Sequence, residues 1–267
     1  MDKRPVGVFD SGLGGLTVVK EIKRVLPGES IVYLGDTARV PYGTRSKKTV
    51  EEFSLQNINF LLRKKVKCVV VACNTASAQA YRKIRKKSSV TTFDVIVPAV
   101  KAATKNGQPK VIGVIGTRGT IKSGAYKRKI QKVGPNFKVF ELTCPLFVPL
   151  IEEGELRGEL IRLCVDKYLI PLRKKKIDTL ILGCTHYPLI KTVIEKRIGP
   201  KVKIIDSGKE VTKELFAYLT KKQMLAPENN KPRDEYFVTD LTQRFIKVAE
   251  MFLGESLKRK IKEVSVN

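Results

Sequence analysis

Val69-Val70-Val71-Ala72-Cys73-Asn74-Thr75-Ala76-Ser77 and Leu180-Ile181-Leu182-Gly183-Cys184-Thr185-His186-Tyr187-Pro188 carry the same pattern twice. Each is a short, unbroken apolar run that ends in a cysteine and passes at once into small polar residues and a helical pattern. An apolar run without alternation, bounded in this way, marks a strand buried on both faces, as in a parallel sheet covered by helices. Each cysteine is then expected at the carboxyl end of its strand, close to the N-terminus of the next helix. Open α/β sheets bind ligands along that edge, and the positive end of a helix dipole favours a thiolate there.

The same rhythm extends outward from both stretches. Ahead of Cys73 the sequence predicts a strand over residues 5–10 and a tight loop, Ser11-Gly12-Leu13-Gly14-Gly15. A helix over about 16–25 follows, stopped by Pro27-Gly28. Next come a strand over 30–34, the segments Gly35-Asp36-Thr37 and Pro41-Tyr42-Gly43, and a helix over 46–65 with Val50, Phe53, Ile58, Leu61 and Leu62 near helical spacing. Beyond Cys73 a basic helix is expected over 76–87, then a short strand over 94–97 entering Pro98. After Asn106-Gly107-Gln108-Pro109 the pattern restarts with a strand over 110–115, the loop Gly116-Thr117-Arg118-Gly119-Thr120 and a helix over 123–133. A strand over 138–142 runs into Thr143-Cys144-Pro145, followed by a helix over 156–174, strands over 178–182 and 202–205, and a helix over 209–221. A polar loop over 226–233 leads to an amphipathic helix from about 241, with Phe245, Val248, Ala249, Phe252 and Leu253 facing one of the sheets.

Landmarks recur at nearly one offset. Asp10 and Thr117 are 107 positions apart, Asp36 and Cys144 are 108 apart, as are Pro41 and Pro149, and Cys73 and Cys184 are 111 apart. A period this long means duplicated domains and not a solenoid. The expected architecture is α/β, with two pseudo-symmetric open-sheet domains and the site in the cleft between them. Residues 1–97 plus 208–267 would form the Cys73 half, and 98–207 the Cys184 half.

Composition sets the outer bounds. A chain of 267 residues can bury a substantial core. No apolar run approaches a bilayer span, and residues 1–10 lack the apolar core of a signal peptide. Five cysteines, an odd number at irregular spacings without a CxxC pair, argue against a disulfide framework and for a reducing cytoplasm. The formal charge of +26 is the outlier. Clusters such as Arg63-Lys64-Lys65, Arg82-Lys83-Ile84-Arg85-Lys86-Lys87, Arg173-Lys174-Lys175-Lys176 and Lys258-Arg259-Lys260 fall mostly at predicted helix ends. There they complement the dipole and stay solvated. No nucleic-acid signature or aromatic stacking motif interleaves with them. Non-specific binding to nucleic acid at low salt is still expected, and the field also draws in small anions.

Two opposed thiols permit four kinds of chemistry. Cys184-x-His186 offers two metal-ligand types, but zinc needs three or four protein ligands and His186 is the chain's single histidine. A Cys–His nucleophile leaves Cys73 without a role. A redox pair lacks CxxC. Two-base proton transfer, in which one group removes a proton from one face of a carbon while its counterpart donates to the other, is the reading that uses the duplication itself. Cys68 and Cys164, and with them Cys144, read as small core residues.

Taken together, Asp10-Ser11-Gly12-Leu13-Gly14-Gly15, Gly35-Asp36-Thr37-Ala38-Arg39-Val40-Pro41-Tyr42-Gly43, Ala72-Cys73-Asn74-Thr75-Ala76, Gly116-Thr117-Arg118-Gly119-Thr120, Cys144-Pro145-Leu146-Phe147-Val148-Pro149 and Gly183-Cys184-Thr185-His186-Tyr187-Pro188 resemble the bacterial glutamate racemases in order and spacing. The resemblance implies an isomerase that uses neither pyridoxal phosphate nor metal and whose product, D-glutamate, supplies peptidoglycan synthesis and so cell-wall biogenesis and cell shape. It implies that Cys73 takes the α-proton of D-glutamate and Cys184 that of L-glutamate, with Asp10 and His186 beside them and Asp36 and Glu152 further out. By the same resemblance Asp10, Ser11, Pro41, Tyr42, Gly43, Asn74, Thr75, Thr117, Thr185 and His186 hold the substrate. A homodimer is expected. The first strand begins close to residue 1, so activation through an N-terminal extension is not expected. An aspartate or hydantoin racemase of the same superfamily is one alternative. A basic DNA-associated protein with a secondary racemase site is another, and a Cys–His hydrolase a third.

Overall fold

The computed structural model describes residues 1–105, 110–254, 256, 257 and 261–266. The expected restart segment 106–109 and the Lys258-Arg259-Lys260 cluster lie outside the described residues. Two sheets form, every strand in each parallel to its neighbours. The first has the order β10-β9-β2-β1-β3-β4, built from β1 (Val6–Asp10), β2 (Ile31–Gly35), β3 (Cys68–Val71), β4 (Thr91–Asp94), β9 (Glu235–Val238) and β10 (Ile261–Glu263). The second has the order β6-β5-β7-β8, from β5 (Val111–Gly116), β6 (Lys138–Thr143), β7 (Thr179–Gly183) and β8 (Lys203–Asp206). In chain order 2-1-3-4 and 6-5-7-8 are one topology used twice, which is the duplication seen in the landmark offsets.

β1, β2, β3 and β7 are buried along their whole length, as continuous apolar runs covered on both faces require. The helices that cover the sheets are α1 (Leu16–Val25), α2 (Lys47–Arg63), α3 (Asn74–Gln79), α4 (Tyr81–Lys87), α5 (Ile96–Thr104), α6 (Arg118–Lys122), α7 (Ala125–Val133), α8 (Phe147–Glu152), α9 (Glu159–Lys174), α10 (Lys191–Ile198), α11 (Ser207–Lys221) and α12 (Gln243–Leu253). α1 illustrates the local logic. Its buried face is Leu16, Val18, Val19 and Ile22, and Lys23 and Arg24 fill its last turn, where cations oppose the dipole. Each such fully buried aliphatic side chain contributes about 1.5–3 kcal/mol, and Ile22→Ala would forfeit about 2–5 kcal/mol once the cavity is counted. α11 packs on α1 and on α5, and α12 packs on α1, so helices bridge the two sheets.

Several boundaries differ from the sequence expectation. The single helix expected over 76–87 is two, α3 and α4, meeting at Ala80. The strand expected over 94–97 ends at Asp94. Pro98 sits in the first turn of α5 instead of stopping a strand, because its fixed φ and missing N–H cost nothing there. The helix expected over 123–133 is divided from α6 by Gly124, whose φ of 61° suits glycine. α9 starts at Glu159, and α8 precedes it unannounced. The sequence predicts neither β9 nor β10.

Candidate active site between the two sheets

In each sheet the chain leaves the central strand to one side and returns on the other, so the loops after β1 and β3, and after β5 and β7, open a crevice at the strands' carboxyl ends. Loops from both halves close around one cavity of about 460 Å³. Cys73 and Cys184 both line it, as do Ser11, Pro41, Tyr42, Gly43, Asn74, Thr75, Thr117, Thr185, His186 and Glu152. Asp10, expected to hold the substrate, stands behind the wall instead of in it, and Asp36, expected further out, lies behind it as well. Asp10 is 1% exposed and accepts a hydrogen bond from Gly12 N–H at 3.0 Å, with the Thr185 hydroxyl at 3.5 Å. Asp36 is fully buried, accepting from both Arg39 Nε, at 2.8 Å, and the Tyr42 hydroxyl. The reason is geometric. Both carboxylates end strands, Asp10 in β1 and Asp36 just past β2, and point under the loops that follow.

The Tyr42 hydroxyl therefore faces Asp36 and Asn57 Nδ2, the latter 3.0 Å away, and away from a ligand. The loop 37–44 that carries Pro41-Tyr42-Gly43 is anchored through this network, which Thr239 Oγ1 joins at 3.0 Å from Asp36. Gly43 has no room for a side chain, since a Cβ there would stand 2.8 Å from Thr117 Cβ across the cleft.

Beside the Thr185–Asp10 contact, further polar contacts stitch the two halves together around the cavity. Thr75 Oγ1 meets Thr117 Oγ1 at 2.9 Å and Thr120 Oγ1 at 3.3 Å, and the Tyr126 hydroxyl donates to Asn74 Oδ1 at 2.7 Å. Thr17 Oγ1 donates to Thr185 O at 2.8 Å, Gln79 Nε2 donates to Gly119 O at 3.0 Å, and Asn74 Nδ2 lies 3.5 Å from Ser207 Oγ.

The surroundings of the two sulfurs are unlike. Cys73 is the N-cap of α3, its Sγ accepting from Ala76 N–H at 3.4 Å with Ser11 Oγ at 3.5 Å. Burial nevertheless pushes its thiol up to about 12, and the charge of Asp10 pushes the same way. Cys184 directly follows β7, but a 3₁₀ turn over Tyr187–Ile190, opened by Pro188, separates it from α10. The helix N-terminus expected beside it is thus displaced. In its place stands His186, Nδ1 3.8 Å from Sγ and Nε2 2.9 Å from Glu152 Oε1. Burial works against a charged imidazole, yet Cys184 and Glu152 outweigh it and raise His186 to about 10. Phe252 from α12 packs nearly perpendicular to the His186 ring, with the ring centroids 5.3 Å apart. Burial also raises Asp10, opposed by His186 and the N–H groups of Gly12 and Gly15.

Gly12, Val40, Thr44, Arg118, Cys144, Pro145, Val148, Pro149 and Glu153 also form the wall, beyond the residues the sequence points to. Most lie within the segments quoted for the resemblance, so proximity to Thr117 and Glu152 was the available signal. Phe252 and Asn57 gave none. Cys144, read as core, is fully buried yet borders the cavity. Among the described residues no group of three or more His, Cys, Asp or Glu is placed to hold a metal ion.

The arrangement can bind an anionic, hydrogen-bonding small molecule between hydroxyl-rich loops and set one sulfur from each half against it. Comparison with known proteins follows the same line. Residues 6–215 match the model of the Asp/Glu/Hydantoin racemase family. The glutamate racemase of Geobacter metallireducens is 45% identical over 257 residues, covering 96% of this chain and 95% of the relative. The crystal structure of glutamate racemase from Francisella tularensis in complex with D-glutamate superimposes with a TM-score of 0.93 at 41% identity, covering 100% of this chain and 99% of that one. The aspartate racemase of Picrophilus torridus shares the fold alone, with a TM-score of 0.59 at 18% identity over 81% of this chain and 94% of that one.

Proposed function

The chain belongs to the Asp/Glu/hydantoin racemase family, and from that premise we propose that it interconverts L- and D-glutamate by proton transfer at Cα between Cys73 and Cys184. The observation that carries the reading is that sulfurs from equivalent strands, β3 and β7, line one cavity of a size for a single amino acid. It is an isomerase acting without an added cofactor.

The α-proton of an amino acid is far less acidic than a thiol, whose ordinary pKa is about 8.5. The site therefore acts by stabilising a carbanion-like transition state with placed donors, not by a strong base. Ser11, Asn74, Thr75, Thr117 and Thr185 supply side-chain donors around the cavity. At Cys184 the cationic imidazole of His186, held by Glu152, stands beside the sulfur. The thiolate takes the α-proton of L-glutamate and becomes the neutral thiol, and in the reverse direction the thiol gives that proton to Cα and becomes the thiolate again. At Cys73 the charge has only Ser11 and the α3 N-terminus for support, so the substrate's own ammonium completes the site. Proton removal from L-glutamate is assigned to Cys184 and from D-glutamate to Cys73, with Asp10 and Asp36 as positioning residues.

The test is L-glutamate in deuterium oxide with no cofactor added. Loss of optical rotation together with deuterium entering only Cα is expected. Retained rotation without exchange would end the assignment, and equal turnover of L-aspartate would move the specificity. The product D-glutamate is assigned to peptidoglycan synthesis. We place residues 1–97 with 208–267 in one domain and 98–207 in the other, and the enzyme in the cytoplasm as a homodimer. All five cysteines are free and buried, and among the described residues no helix is long and apolar enough to cross a membrane.

A further inference from the structure

A second and larger concavity, about 920 Å³, opens beside the thiol cavity and shares Gly43, Thr44 and Arg118 with it. Five cations line it. Arg45 and Lys47 flank the Ser46 N-cap of α2, Arg118 and Lys122 begin and end α6, and Arg128 belongs to α7. Among the described residues, no carboxylate and no aromatic side chain lines it. All five cations are exposed. Among the described residues Arg45, Arg118, Lys122 and Arg128 make no ion pair, and Lys47 has only Glu51 at 3.9 Å.

Like charges gathered around one concavity repel one another, and surface cations are ordinarily interspersed with carboxylates. The fold here holds five together from both halves of the molecule and, among the described residues, leaves four of them without a carboxylate in ion-pair reach. Ser46, Ser123 and Thr143 add hydroxyl groups to the same wall, and the volume falls in the range of small-molecule sites. A face for single-stranded nucleic acid would present a basic track with aromatic platforms for the bases, and this concavity has none.

We propose that the basin binds a compact oligophosphate that bridges the two halves, from Arg45 and Lys47 on one side to Lys122 and Arg128 on the other. Because Gly43, Thr44 and Arg118 belong to both cavities, an anion held there fixes the rim of the thiol site and changes the KM for the amino acid.

The experiment is calorimetric titration of the full chain with tripolyphosphate, with pyrophosphate and ADP as further arms, at several salt concentrations. One equivalent is expected to bind, with affinity falling as salt rises. Replacing Lys122 and Arg128 together by Ala, or Arg45 by Ala, should weaken binding by about tenfold or more per cation removed, the size of a lost hydrogen bond to a charged group. Lys122→Arg with Arg128→Lys should restore it, and thermal melts of each variant check folding. ADP binding more weakly than pyrophosphate assigns the site to free phosphate chains, and tighter binding assigns it to nucleotides. The proposal is overturned by no binding at low salt, by several equivalents binding, by affinity indifferent to these substitutions, or by displacement of tripolyphosphate by a short oligonucleotide at lower concentration. Each of these readouts is a binding measurement, so failure here leaves the racemase reading intact and failure of racemisation leaves this one testable.

Discussion

Gly14→Ala concentrates much of the site's logic in one methyl group. Gly14 has no positive φ, so its backbone would accept alanine. The obstacle is across the cleft. A Cβ at Gly14 would stand 2.1 Å from Thr185 Oγ1, 2.5 Å from His186 Nδ1 and 2.7 Å from His186 Cε1. Ordinary contact begins near 3.4 Å, so Thr185 and His186 must retreat by roughly 1 Å or more to clear the repulsive wall. Thr185 is held by Thr17 through its carbonyl, and His186 by Glu152 and Phe252, so neither moves freely. Displacing the group beside a reacting sulfur by that distance costs on the order of 10²-fold in kcat, and the overpacking costs about 1–3 kcal/mol of stability. Circular dichroism following racemisation from each enantiomer gives kcat and KM, and urea titration gives the stability. Gly28→Ala is the control, its nearest neighbour being an ordinary 3.8 Å away. A Gly14→Ala enzyme with kcat and stability both within threefold and 0.5 kcal/mol or so of the parent would refute the reasoning.

The chain's single histidine gives one imidazole signal, so proton NMR of the folded protein should show His186 still protonated at pH 8 and titrating near 10, while the unfolded chain titrates near 6.5. Since the folded value is the higher one, this group's contribution to stability is complete below pH 6.5 and is lost as pH climbs through about 10, which denaturant titrations at pH 6 and 9.5 will read as a decline of a few kcal/mol. Glu152→Gln should lower the imidazole midpoint and shrink that decline. With its thiol held near 12, Cys73 should label with iodoacetamide at pH 8 at least about 100-fold more slowly than a free thiol, as peptide mass spectrometry will follow. Lys67, fully buried at 2.5 Å from Glu29, also donates to the carbonyls of Asp2 and Met224. Lys67→Met should cost about 3–5 kcal/mol by urea titration, with Glu29→Gln in the same chain recovering part of it.

What could be read ahead of the structure was what depends on local pattern. The buried parallel strands were legible because an unalternating apolar run has few other uses. α1 was legible to the residue, Leu16–Val25, because its apolar spacing ends at a Pro-Gly stop. The cavity was legible because Cys73 and Cys184 close equivalent runs. Features set by distant contacts were not. Nothing in the sequence marks the break at Ala80, where neither glycine nor proline stands. β9 and β10 are short, and what makes them strands is the waiting edge of β2. Asp10 was expected against the substrate, but the end of a strand aims a side chain by pleat, and here it aims beneath the Ser11–Gly12 turn. Arg39, Asn57 and Thr239 meet around Asp36 from three separate segments, a convergence no spacing rule encodes.

The sheet order has a consequence for how the molecule is made. β5 to β8 are consecutive in the chain and can pair as soon as residue 206 has left the ribosome. β2 must wait for β9, its edge unpaired until residues 235–238 emerge, and β10 follows later still. The central half can thus complete its sheet before the other half does, nested inside a partner assembled from both ends of the polypeptide. The exposed flank of β2 is the interval's weak point, open to pairing with another nascent chain, and a ribosome that stalls before residue 235 would leave it so.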